Sequence, residues 1–160
     1  MKRVLPLILA SVLIMTPIAG SKHASSQSYS AAPPLSVCDD LRTNLTKEVR
    51  IRAVYRVGFE WSELYSLKCP DAPRVWVEFS DGVKARIHKA VRKQLAQGEG
   101  TYGVTFIGIV GGSGGHMGAY PLTFQVTSIE AAKRLGKDST MPHALSPNVR
   151  RRVESFEASR

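Results

Sequence analysis

Gly111-Gly112-Ser113-Gly114-Gly115 fits the letters G-x-S-x-G, which in an α/β sheet lift a strained serine nucleophile above a strand-to-helix turn. Here the glycines lead into Tyr120-Pro121-Leu122-Thr123-Phe124, which alternates as a strand does. A flexible hairpin loop is therefore expected, and a hydrolase using Ser113 or His116 ranks third among the functional readings. No Lys-Ser/Thr pair follows the glycines, so they do not form a phosphate-binding P-loop. His116 lies between the loop and a strand, where it could touch a ligand or hold the loop by a structural hydrogen bond. No histidine stands at ligand spacing from another histidine or from a cysteine, so no metal site is expected. Glu60 and Glu63 flank Trp61 and could act as acid and base, but positions three apart on a strand point to opposite faces. No catalytic residue is assigned.

Cationic residues offer a different chemistry. Arg50, Arg52 and Arg56 alternate with apolar residues, and Trp61, Tyr65 and Trp76 follow on neighbouring segments. Cations for phosphates and aromatic planes for bases are the ingredients of a single-strand nucleic-acid surface. The same residues can equally fill a small core and pair with Glu60, Glu63 and Glu78. Lys84, Arg86, Lys89, Arg92 and Lys93 crowd a second stretch that meets no acid until Glu99. They fit contact with an acidic partner, or a solvated helix face.

The compartment bears on both readings. Met1-Lys2-Arg3, an apolar run from Val4 to Ala19, and small residues after it read as a secretory leader, residues 1–24, followed by a Ser/Ala/Pro linker over 25–34. The run is too short for a convincing membrane span, and no transmembrane segment is expected after it. A periplasmic or secreted location lowers the nucleic-acid reading. It also removes three of the 22 basic residues, leaving 19 against 13 acids, a net charge of about +6. Cys38 and Cys69 are the only cysteines, and neither lies just after the apolar run where a lipid anchor would need one. In an oxidising compartment one intramolecular bridge is expected, contributing about 3 to 4 kcal/mol, the alternative being two buried thiols.

The elements that must position these residues follow from periodicity. Ser36 can cap a short helix through Leu41. Val49, Ile51, Ala53, Tyr55 and Val57 alternate as a first strand; Gly58 interrupts, and Phe59 to Leu67 continue as a second. Val75, Val77 and Phe79 mark a third strand. Val83, Ile87, Val91 and Leu95 recur at helical spacing between Asp81 and Gln97, with Gly98 as a stop. Two more strands run from Thr101 to Val110 and from Tyr120 to Thr127, with a short helical piece from Ile129 to Leu135. After Gly136 the apolar content is low, and residues 136–160 are expected to be a flexible basic tail.

Five strands with a helix between the third and fourth is the order of the oligonucleotide/oligosaccharide-binding (OB) fold, a Greek-key barrel. Val49 to Tyr55, Gly58 to Leu64, Val75 to Phe79 and Gly115-His116-Met117-Gly118-Ala119-Tyr120-Pro121 resemble segments of small exported bacterial OB-like proteins. In that group cysteines recur at positions resembling Cys38 and Cys69. The chain departs from it in Ala53, where a glycine is usual, and in its longer basic tail. The resemblance implies a mainly β, OB-like domain over 35–135 and no catalytic residue or cofactor. The expected function is a non-enzymatic module contacting an anionic polymer, a membrane surface or a protein. The alternative is an exported single-stranded nucleic-acid binder using Arg50, Arg52, Arg56, Trp61 and Trp76.

Overall fold

The computed structural model describes residues 33–83, 89–138 and 140–159. The leader and most of the linker lie outside these residues, as do Lys84 and Arg86.

Five strands carry the fold: β1 (Glu48–Val57), β2 (Ser62–Tyr65), β3 (Val75–Phe79), β4 (Gly100–Gly111) and β5 (Leu122–Gly136). Their hydrogen-bonded order is β1-β2-β3-β5-β4, and β4 pairs again with β1, so the mixed sheet has a ring of hydrogen bonds. Among the pairings of these five strands, that of β3 with β5 is parallel and the others are antiparallel. The alternation in β1 sends Ile51, Ala53 and Tyr55 inward, where they meet Val104, Phe106, Val77 and Phe124. The Tyr55 and Phe79 rings pack edge-on to Phe106 at 5.6 and 5.9 Å. Such edge contacts add to the burial of each ring. Gly58 does not continue the strand through a bulge; its N–H donates to the Trp61 carbonyl at 2.9 Å and closes a β1–β2 hairpin.

Helix α1 (Lys89–Leu95) lies between β3 and β4 and packs on β5, burying Val91. The short leading helix expected from Ser36 to Leu41 is a turn instead. Ser36 N–H donates to Asp39 Oδ2 at 2.6 Å and Cys38 N–H to Ser36 Oγ at 3.2 Å, bonds that compete with helical ones. A 3₁₀ turn follows at Leu41–Asn44, capped by Asp40. Cys38 and Cys69 are joined, which fastens this turn to the loop after β2.

Two further expectations are corrected. The helical piece from Ile129 to Leu135 is the second half of β5. Ile129 and half-buried Ala132 face the core three apart because the register shifts between Thr105 and Phe106, whereas Leu135 is buried on the outer face of the sheet; together the three imitate a helix. The segment expected to be a mobile tail forms α2 (Pro147–Ala158), which docks on the outer face of the sheet. Leu145, Val149 and Val153 form one stripe at four-residue spacing, and it packs on Val54, Tyr65 and Leu135. Phe156 extends the contact by lying over Gly103, where an added Cβ would come within 2.6 Å of the ring. Low mean hydropathy hid this helix, because one narrow stripe is all that a helix on a sheet surface requires.

Candidate anion-binding groove

The three arginines of β1 do not form one surface. Arg50 pairs with Glu130 of β5 at 2.7 Å. Arg56 is buried, 2.8 Å from Glu63, with its guanidinium 4.9 Å above the Trp61 ring. Glu63 is fully buried and also receives Arg74 at 3.2 Å and the Tyr120 hydroxyl at 2.8 Å. Burial, then the hydrogen bond and charge of Glu63, push the Tyr120 phenol up to about 12. This cluster is an ion network buried at Glu63 and Arg56 and reaching solvent through Arg74, and Glu60 stands apart from it in solvent. Trp76 packs on Tyr120 at 5.0 Å and lies 6.1 Å from His116. The two tryptophans are thus engaged by Arg56 and by Tyr120.

His116 and Ser113 are exposed on the loop between β4 and β5. That loop joins two strands, and Gly114 and Tyr120 exchange backbone hydrogen bonds across it at 3.0 and 3.1 Å. Lys89, Arg92 and Lys93 are exposed on α1. Among the described residues no cluster of three or more His, Cys, Asp or Glu side chains is arranged to hold a metal.

Arg52 has a different setting. Its guanidinium lies 4.2 Å from the Phe156 ring centre and donates to Phe156 O and Ser159 Oγ, both at 2.9 Å. It thereby opens a groove of about 1110 Å³ between the outer sheet face and α2. Arg52 of β1, Lys133 and Arg134 of β5, and Arg151 and Arg152 of α2 line it, with no acid among the lining residues. None of the five belongs to an ion pair among the described residues. The arginines are held by neutral acceptors: Arg152 donates to Leu135 O at 3.1 Å and Arg151 to Asn148 Oδ1 at 2.6 Å, whereas the Arg134 guanidinium is turned out of the groove onto Gln97 Oε1 at 3.2 Å, Gly136 O at 3.3 Å and Glu99 O. Such bonds orient the cations and leave their charge uncompensated, which is what an anion site requires.

An acid near the C-terminal end of α2 is engaged elsewhere. Glu157 is buried, and its carboxylate accepts from Leu67 N–H at 3.1 Å, while its carbonyl accepts from Lys68 Nζ at 2.6 Å. These bonds tie the C-terminal end of α2 to the loop that carries Cys69. Of the residues singled out from sequence, the groove contains only Arg52. Lys133, Arg134, Arg151 and Arg152 were missed; the signal for the last two is the run Arg150-Arg151-Arg152 set between Val149 and Val153.

No family model matches the chain, and a search of curated proteins finds no significant match.

Proposed function

We propose that the chain is an exported, non-enzymatic OB-like binding module that engages an anionic envelope component through the groove between α2 and the sheet. The observation that carries this reading is the four cations without an acid partner, Arg52, Lys133, Arg151 and Arg152, brought together from three elements. The ring order β1-β2-β3-β5-β4, with a helix between β3 and β4, supports the finer description as an OB-like Greek-key barrel. The leader pattern of Met1 to Ala19 supports export, and the disulfide fits an oxidising compartment. The nucleic-acid alternative is weakened because Trp61 lies under Arg56 and Trp76 against Tyr120, so neither ring is set out as a free stacking platform.

The test is retention of the full chain, expressed from Met1, on a sulfated-polysaccharide column eluted with salt. Lys133→Gln with Arg151→Gln should elute at clearly lower salt than Arg42→Gln with Lys47→Gln, which removes the same charge near the far end of β4. Equal elution of the two variants overturns the groove as the site.

A further inference from the structure

We infer that the ligand of this groove is an acidic polysaccharide, a glycan chain carrying carboxylate or sulfate groups. The inference rests on the anion-binding reading above and adds the class of anion.

Four features of the groove point to it. Its one aromatic residue is already engaged and only partly exposed: Phe156 lies 4.2 Å from the Arg52 guanidinium and packs closely on Gly103. Nucleic-acid affinity that is tolerant of sequence draws much of its strength from free aromatic faces. The exposed large apolar residues Leu45, Phe59, Met117 and Met141 are all absent from the lining, so the groove offers none of them to insert into a lipid interface. Neutral hydrogen-bonding side chains, Asn148, Ser155 and Ser159, stand between the cations, as a chain bearing both hydroxyls and charges requires. Finally, three of the four cations that face it, Arg52, Arg151 and Arg152, are arginines, whose planar forks match carboxylate and sulfate oxygens in pairs.

The guanidiniums are also held in place before a ligand arrives. Arg151 uses an Nη on Asn148, Arg152 one on Leu135 O, and Arg52 one on Phe156 O and Ser159. Each keeps other N–H groups to offer. Side chains fixed in this way lose less freedom on binding.

The experiment is titration of the full chain, at one salt concentration, with three probes: a sulfated uronate oligosaccharide, single-stranded DNA of the same charge, and vesicles of phosphatidylglycerol and phosphatidylcholine. The oligosaccharide is expected to bind at least about tenfold more tightly than the DNA, and its affinity to fall by some tens-fold between about 50 and about 200 mM salt, as release of counterions by about three cations implies. Lys133→Gln with Arg151→Gln should weaken it about tenfold, and Arg42→Gln with Lys47→Gln less than about twofold. If DNA or vesicles bind as tightly as the glycan, the polysaccharide assignment is overturned while the anion-binding reading stands. If no probe binds, or if the two double variants lose affinity equally, both readings fall.

Discussion

Replacing Val153 tests whether α2 is a docked element and therefore whether the groove has its second wall. Val153 is 0 % exposed and sits in the middle of the stripe that meets Val54, Tyr65 and Leu135. Val153→Ala removes two methyl groups, about 1.6 kcal/mol by transfer alone, and the cavity left under a helix anchored at both flanks raises this to about 2 to 3 kcal/mol. For a domain of this size that lowers Tm by about 10 °C. Val153→Asp is more severe, because an unpaired carboxylate cannot stay in that interface, and α2 should leave the sheet. Thermal unfolding measures the first effect, and limited trypsin digestion the second. Arg150, Arg151 and Arg152 are shielded as a docked helix and should become rapid cleavage sites in Val153→Asp. Anion affinity should drop as well, although no cation has been removed. Retention of parental Tm and trypsin resistance by Val153→Asp would refute the docking argument.

Other outcomes follow from the same contacts. Glu63→Gln leaves buried Arg56 without its counter-charge and should cost about 3 kcal/mol in urea unfolding, whereas replacing Glu63 and Arg56 together by apolar residues should recover part of the loss. Substituting both Cys38 and Cys69 by serine should lower stability by about 3 to 4 kcal/mol; because the Cys69 loop holds Glu157 of α2, affinity for anions should weaken too, checked by titration alongside unfolding. Tyr55 and Tyr120 are both pushed up to about 12, so the folded state retains protons that the unfolded chain releases from about pH 10. The corresponding stability is intact below about pH 10 and is lost between about 10 and 12, which unfolding curves across that range would show together with a late phenolate absorbance.

Much of the sheet is legible in the sequence because β1, β3 and β4 send most of their large apolar side chains, such as Ile51, Tyr55, Val75, Val77, Val104 and Phe106, to one core, which forces an alternation that needs no knowledge of partners. The cysteine pairing is legible for a simple reason: with Cys38 and Cys69 the only two cysteines, a bridge within the chain has one possible connectivity. The helical stop at Gly98 belongs with these, since it has the positive φ that the end of a helix favours. Where the sequence reading fails, the deciding contact is distant. Residues 129–135 look helical because the pairing of β5 with β4 shifts register between Ile129 and Ala132 and because α2 covers Leu135 on the outer face. The tail looks solvated because its apolar stripe has meaning only opposite Val54, Tyr65 and Leu135.

The candidate site shows the same division. Sequence alone determined that the chain is basic, that Arg50, Arg52 and Arg56 alternate on one strand, and that Arg150 to Arg152 form a run. Tertiary structure decided what each charge does: Arg56 is neutralised by Glu63 and Arg50 by Glu130, while Arg52 joins cations from β5 and α2 that no local pattern connects to it. The physical reason is that periodicity reports which face of an element is covered, and it does so within one segment. Whether a surface arginine meets an acid, a carbonyl or open space depends on segments far away in the chain.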